Sequence, residues 1–346
     1  MPAAHPISPE ALLARVETIF TKAGVRPESA RAVAAVIAAG ERDNCKSHGI
    51  YRVEGCLRVI AAGKVAPDAV PRIHDAGTSV IEVDAGGGFS NPAFDAARPL
   101  LAERARAQGI AALVIRDCLH FSALWHDVEA LAQDGLASLS MCPSYASVAP
   151  AGGSAPLLGT NPFAFGWPRQ GAQPYVFDFA TSVVARGEIE LHRRAGKPIP
   201  EGWAVDSAGR PTTDPEAALS GAMLPFGGHK GSAISTMVEL LSGAMLGEFM
   251  SKEAVEFMGG TTSLLPRHGA LVIALDPQRF AARSGRDPIA EGERLLTAIG
   301  AQGARLPSER RFAARAKALA DGITLSEAEL AQLDRFETMG LAALEG

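Results

Sequence analysis

The spacing of apolar residues changes twice along the chain, and this restricts the possible folds more than any single motif does. Up to about Gly63 apolar residues recur at helical intervals. Ser8 reads as the N-cap of a first helix, with Pro9 in its first turn and Ile7 against Leu12 as a hydrophobic staple; Leu12, Leu13, Val16, Ile19 and Phe20 then line one face as far as Gly24. A second helix starts near Pro27 and carries Val33, Val36 and Ile37, and a third follows Ser47-His48-Gly49, with Ser47 placed to cap it. In the middle of the chain, short β-branched runs at 80–84, 112–115, 136–141, 175–179 and 271–275 alternate with helical stretches at 92–107, 126–134, 233–246 and 290–299. Such alternation predicts an α/β fold around a buried sheet. From Ser308 helical spacing returns, and Ser326 with Glu329 forms a capping box stapled by Leu325 and Leu330. The helices of the two ends are expected to pack together.

At about 150 residues per domain, a chain of 346 residues would make roughly two modules in series. Helices at both ends around an interrupted α/β middle favour interleaved lobes instead. The expected division is a helical lobe from 1–75 with 308–346, an α/β lobe from 76–125 with 260–307, and a second α/β lobe from 126–259. The Pro/Gly-rich stretches 143–171 and 196–215 are too long for plain connections and are expected to carry function. With 33 basic and 38 acidic residues, the net charge of -5 offers no footprint for a nucleic acid, so a small molecule is the expected partner. Cys45, Cys56, Cys118 and Cys142 form no C-x-x-C pair and have no histidine at zinc spacing, so they read as buried thiols and no metal site is expected. The first 20 residues lack a signal-peptide pattern and no apolar window approaches roughly 18 residues, so a cytoplasmic protein without membrane contact is expected.

An α/β pattern invites a dinucleotide-binding reading, but the glycine signals do not match. Asp84-Ala85-Gly86-Gly87-Gly88-Phe89 follows a strand, yet Asn91 stands where the third glycine of G-x-G-x-x-G belongs, and Gly228-His229-Lys230-Gly231-Ser232 only resembles the end of a P-loop. Hydrolase, zincin and kinase signatures are absent too. Three polar clusters remain. In Ser47-His48-Gly49-Ile50-Tyr51-Arg52, a proton-carrying His lies one turn from a guanidinium that can fork a carboxylate; the same residues also read as a capped helix with a surface His and Arg. His120-Phe121-Ser122-Ala123-Leu124-Trp125-His126 follows a strand end, where ligands of α/β sheets gather, and reads equally as a hydrophobic turn. The third joins Gly159-Thr160-Asn161-Pro162, Asp178-Phe179-Ala180-Thr181-Ser182 and Arg186-Gly187-Glu188; Glu188 would orient His48 if it reached it, and is otherwise a solvated helix residue.

Together with Pro198-Ile199-Pro200-Glu201-Gly202-Trp203 and Leu306-Pro307-x-Glu309-Arg310-Arg311, these motifs follow one another in an order that resembles the malate/L-lactate dehydrogenase-like oxidoreductases, a non-Rossmann group. That resemblance implies a mixed sheet with a helical lobe formed by both termini, and makes 126–259 the cofactor-binding lobe. An acidic residue after Arg-Gly, rather than Lys, makes the chain similar to the Δ1-piperideine-2-carboxylate/Δ1-pyrroline-2-carboxylate reductases, which usually carry Asp where this chain has Glu188. The resemblance implies NADPH-dependent reduction of a small cyclic imino acid, with NADH a weaker alternative, and a homodimer that shares the cofactor site. It makes Ser47, His48 and Glu188 catalytic, and Arg52 and Thr160 substrate-binding. The cofactor would be held by His120, Phe121, Ser122, Ala123 and Leu124, by Asp178, Phe179 and Ala180, by His229 and Lys230, and by Gly303, Ala304, Arg305, Leu306, Pro307, Ser308 and Glu309. A 2-hydroxyacid dehydrogenase of the same fold is the alternative; a catalytically silent relative fits less well with intact Ser47, His48 and Arg52.

Overall fold

The computed structural model describes residues 5–121 and 123–345, and has the mixed α/β class expected. Strand β1 (His5–Ile7) leads into α1 (Pro9–Lys22), where the Ser8 hydroxyl accepts the Ala11 N–H at 3.1 Å. Helices α2 (Pro27–Arg42) and α3 (Tyr51–Ala61) are followed by β2 (Arg72–His74), β3 (Val80–Asp84), α4 (Ser90–Gln108), β4 (Ile110–Leu119), α5 (Leu124–Gln133), β5 (Ala137–Met141), β6 (Phe163–Trp167) and β7 (Tyr175–Phe179). A small unit comes next, with α6 (Arg186–Arg194), β8 (Ala204–Val205), β9 (Pro211–Thr212), α7 (Pro215–Ser220) and β10 (Ala222–Met223) around Val148, Ile189, Ile199 and Met223. The chain returns through α8 (His229–Ser242), α9 (Ser251–Phe257), β11 (Arg267–Leu275), α10 (Pro277–Ala281), α11 (Pro288–Ala301), α12 (Glu309–Asp321), β12 (Ile323–Leu325) and α13 (Glu327–Met339).

Seven strands form the main sheet in the order β2-β3-β4-β11-β5-β6-β7, with β3 and β4 parallel and every other pair antiparallel. Its central strands are covered on both sides, which is why they read as unbroken apolar runs. On one face Leu113, Ile115 and Val272 meet Leu101 of α4 and Leu124 of α5, in a core that continues to Phe20, Ile37 and Leu57. On the other, Val114, Met141 and Leu271 meet Val238 and Leu246. The ends of the chain close on each other as expected: β1 pairs with β12, Ile7 opposite Ile323, and Arg15 on α1 meets Asp334 and Glu337 of α13 at 2.5 and 2.8 Å. None of the four cysteines forms a disulfide, and Cys56, Cys118 and Cys142 are buried. No single helix among the described residues is long and apolar enough to cross a membrane.

Strand β6 lies within the Pro/Gly-rich stretch read as loop. It is concealed because its inner face is small: a Cβ on Gly166 would come within 2.9 Å of the Val128 carbonyl carbon, so only Ala164 and Gly166 fit against α5 while Phe163, Phe165 and Trp167 face the other way.

The strand register brings the C-terminal ends of β4, β5 and β7 and the N-terminal ends of β6 and β11 to one edge of the sheet, since Leu119 pairs with Arg267, Leu271 with Met141, and Phe163 with both Met141 and Phe179. The loops there are held by fully buried Asn161. Its Oδ1 accepts from the Ser144 N–H at 3.0 Å and the Ser251 hydroxyl at 3.2 Å, and its Nδ2 donates to Ser235 Oγ at 2.9 Å and Glu239 Oε1 at 2.8 Å. Replacing Asn161 with Ala removes one donor from the buried Glu239 carboxylate, which keeps those of Ser251, and leaves the Ser144 N–H without its acceptor. Urea denaturation should show a loss of about 2–4 kcal/mol; a loss under about 0.5 kcal/mol would remove Asn161 from this role.

Candidate active site

Helix α2 ends at its C-cap Asp43, and the chain turns through Asn44, at φ 57°, into a 3₁₀ turn over Lys46–His48. Ser47 therefore does not cap the third helix, contrary to the sequence reading, because α3 begins only at Tyr51. Glu41 of α2 takes that place: its buried carboxylate accepts the Ile50 N–H at 2.9 Å and pairs with Lys46. A Cβ on Gly40 would lie 2.6 Å from the His48 carbonyl oxygen, and one on Gly49 would overlap the Glu41 carboxylate. Two glycines thus let the His48 loop press directly on α2. Ser47 Oγ lies 3.1 Å from His48 Nδ1, the direction of donation following the imidazole tautomer. Arg52 donates its Nε–H to the Ser47 carbonyl at 2.6 Å, and no carboxylate pairs with it among the described residues.

Beyond β4, His120 is buried and stacks on His268 of β11 with ring centroids 5.7 Å apart. Burial, and then the proximity of His268 and His48, hold the His120 imidazole well below the ordinary histidine range. Burial likewise pushes His268 down to about 4, so both rings are neutral at pH 7. His268 carries no sequence signal, since it is the second residue of a strand that is apolar or glycine from Gly269 onward. Phe121, Ala123 and Leu124 are buried in the main core; Ser122 lies outside the described residues.

The Thr160 carbonyl accepts from the Thr181 N–H at 2.8 Å and hydroxyl at 3.1 Å, which sets Thr160 beside the end of β7. There Asp178 accepts the N–H groups of Trp125, at 2.9 Å, and Leu124, so its carboxylate caps α5. Burial pushes Asp178 up to about 7, against these bonds and the pull of Arg311. Phe179 packs edge-on against Phe226 at 5.7 Å, and the Phe226 N–H donates to Thr181 at 3.0 Å. Gly227 and Gly228, with φ of 56° and 61°, then turn the chain into α8, whose exposed first residues are His229 and Lys230. A Cβ on Gly231 would stand 2.9 Å from the Phe226 nitrogen and 3.0 Å from the Thr181 oxygen, so this approach requires glycine. A long helix that starts with His229 and the Lys230 ammonium presents the positive end of its dipole there, which suits the phosphates of a dinucleotide. Of the third segment, Gly303, Ala304, Arg305, Pro307 and Glu309 are exposed, Leu306 is buried, and Ser308 donates its hydroxyl to the Val176 carbonyl on β7 at 2.7 Å.

Glu188 stands apart, exposed on the first turn of α6, where its side chain makes no hydrogen bond or ion pair among the described residues. Tyr145, hidden in the Pro/Gly-rich stretch and absent from the sequence reading, is half-buried near two cations; burial pushes its phenol up while Arg186 and Arg52 pull it down. No group of three or more His, Cys, Asp or Glu among the described residues is placed to hold a metal ion.

The raised Asp178 value has a thermodynamic consequence. Between the ordinary aspartate range and about 7 the folded protein keeps a proton that the unfolded chain has released, so this group makes stability fall as pH rises through that window and leaves it level above. The Asp178→Asn variant stays neutral at every pH. From pH 5 to pH 8 the Tm of the wild-type protein should therefore fall relative to that of the variant. A pH-independent difference would mean that Asp178 is ionised throughout.

The chain matches the malate/L-lactate dehydrogenase family model over residues 7–334. It is 62% identical over 336 residues to a Δ1-pyrroline-2-carboxylate reductase of Agrobacterium fabrum, covering 97% of each chain. It is 56% identical over 298 residues to a Δ1-pyrroline-2-carboxylate/Δ1-piperideine-2-carboxylate reductase of Pseudomonas aeruginosa, covering 86% of this chain and 89% of that one. Among solved structures, the Δ1-piperideine-2-carboxylate reductase of Pseudomonas syringae superposes with a TM-score of 0.91 at 42% identity, over 96% of this chain and 99% of that one. In sequence and in fold, the chain belongs to the malate/L-lactate dehydrogenase family of oxidoreductases.

Proposed function

We propose that the protein reduces cyclic 2-imino acids, Δ1-piperideine-2-carboxylate to L-pipecolate and Δ1-pyrroline-2-carboxylate to L-proline, with NADPH as hydride source. The observation that carries this reading is Arg52. A half-buried guanidinium, held by the Ser47 carbonyl beside His48 and without an acidic partner among the described residues, is a receptor for a substrate carboxylate. The names of the relatives at 62% and 56% identity supply the imine, and weigh against the hydroxyacid dehydrogenase alternative.

In this reading the two Nη groups of Arg52 fork the carboxylate and Thr160 adds a second contact. His48 holds the proton destined for the ring nitrogen, with Ser47 on its Nδ1 side. The bound nicotinamide supplies the hydride. His120 and His268, both neutral at pH 7, place no competing cation beside the imine, so proton delivery falls to His48. Glu188 completes the relay by turning from solvent toward His48 once substrate is bound, and its carboxylate then favours the imidazolium that an imine reductase needs. The cofactor would lie along 120–124, 178–180 and 303–309, with its phosphates at the start of α8. The exposed cations Lys230 and Arg305, with His229 beside them as a hydrogen-bonding group, favour a 2'-phosphate, hence NADPH over NADH. Beyond Lys230 the outer face of α8 carries Ala233, Thr236 and Leu240, with Leu240 56% and Met245 of the following turn 59% exposed, and a second copy seated there would close the cofactor site as a homodimer.

Steady-state oxidation of NADPH, with piperideine-2-carboxylate, pyrroline-2-carboxylate, pyruvate and oxaloacetate offered in parallel, should show turnover on the two imines. Turnover on the keto acids alone would overturn the reading. In the same assay Glu188→Gln should lower kcat about 10- to 100-fold with little change in KM, because the proton moves in the transition state; a wild-type kcat would remove Glu188 from the relay. Leu240→Lys should shift sedimentation from dimer to monomer, and an unchanged dimer would place the contact elsewhere.

A further inference from the structure

Arg311 closes the Leu306-Pro307-x-Glu309-Arg310-Arg311 run, enters the site described so far only through its pull on Asp178, and is buried. Its Nη1 lies 2.8 Å from Asp43 Oδ2, its Nη2 meets the Glu129 carboxylate, and its Nε donates to Ser308 Oγ at 3.3 Å. The guanidinium carbon sits 4.4 Å from the centre of the Trp125 ring and 4.5 Å from that of Phe312. Arg315, one turn further on, meets the same two carboxylates, at 2.5 Å to Asp43 and 2.6 Å to Glu129. Unlike Arg311, it reaches neither Trp125 nor Ser308 among the described residues. Arg42 adds a contact to Asp43 at 2.7 Å.

A buried cluster of two arginines and two carboxylates is a poor source of stability, because desolvation offsets most of the attraction; what such a cluster supplies is register. Here the register joins the parts of the site. Asp43 caps α2 and leads into the His48 loop, in which the Cys45 N–H returns to Gly40 at 2.7 Å and the His48 N–H donates to Cys45 at 2.8 Å. Trp125 and Glu129 lie on α5, which begins with Leu124, and the N-terminus of α5 is capped by Asp178. Ser308 belongs to the 303–309 segment and is bonded to Val176, two residues before Asp178.

We propose that Arg311 is a positioning residue that sets the His48 loop at its working distance from the cofactor held by 120–124, 178–180 and 303–309. This rests on reading those segments as the cofactor site. The guanidinium does it by geometry: each edge of the fork binds a different segment, and its flat face is fixed on Trp125.

Three variants of the full chain test this: Arg311→Lys, which keeps the charge and loses the fork, Arg315→Lys, which breaks the same ion cluster without touching Trp125 or Ser308, and Ser308→Gly, which keeps the positive φ and removes the hydroxymethyl group with its bonds to Val176 and Arg311. NADPH affinity is measured by fluorescence titration without imine, alongside Tm and steady-state kinetics with piperideine-2-carboxylate. Arg311→Lys should weaken NADPH about fivefold or more and lower kcat roughly 10- to 100-fold, with the imine KM within about twofold. Arg315→Lys should lose a similar Tm while NADPH affinity and kcat stay within about twofold. Ser308→Gly should weaken NADPH a few-fold at the wild-type Tm. Wild-type affinity and kcat in Arg311→Lys, or equal losses in Arg315→Lys, overturn the positioning role; if Arg311→Lys does not fold, unchanged NADPH affinity in Ser308→Gly overturns it. A wild-type protein that binds no NADPH overturns the reading of the cofactor site itself, a result separate from the comparison of variants.

Discussion

Strand β11 pairs with β4 on one side, Val272 opposite Leu113, and with β5 on the other, Val272 opposite Ser140. A slip of one residue would turn Val272 and Ala274 out of the core shared with α4 and α5 and carry His268 away from His120. It would also displace Arg267 from Leu119, where the loop containing His120 begins. The arrangement of polar groups at this edge of the sheet is thus fixed by an apolar requirement elsewhere in the strand. The irregularity between His268 and Ala270 is local: there the Gly269 carbonyl lies 2.9 Å from His268 Nδ1, and the ladder resumes within two residues.

Loops at that edge depend on buried polar groups more than on regular structure. Glu41 satisfies the N-terminus of α3, Asp178 that of α5, and Asn161 with Glu239 ties together segments near residues 144, 159, 235 and 251. Each of these side chains bonds a different element or loop from its own. Each also lies where an unpaired polar group is costly, so the loops cannot shift one at a time. Such mutual dependence suits a site whose parts must keep fixed distances without a metal or disulfide among the described residues to hold them.

How much of this was legible in the sequence depended on whether the controlling interaction was local. Ser8 and Ser326 were readable as caps because the groups they satisfy are three residues away. The alternating middle gave the α/β class, since strands buried on both faces leave apolar runs. Ser47 was misread as a cap because the group that supplanted it, Glu41, is supplied by another helix, and β6 was missed because close packing on Val128 demands alanine and glycine where a strand normally advertises itself with bulk. The site residues were found through the order of short motifs, whereas Tyr145 and His268 belong to no motif and became visible only through their neighbours. Neither could be reached by spacing, because what brings them to the site is the pairing of strands that lie far apart along the chain.

The two-stranded ribbon of β1 and β12 bears on how the protein is made. Residues 5–7 leave the ribosome more than three hundred residues before their partners at 323–325, so α1 and α2 spend most of synthesis without the helix and strand that later cover them. The side of α1 that meets α13 in the finished protein stays open to premature partners during that interval. The helical lobe must therefore be completed after the sheet, and a chain halted before residue 323 would present its oldest segment as its stickiest.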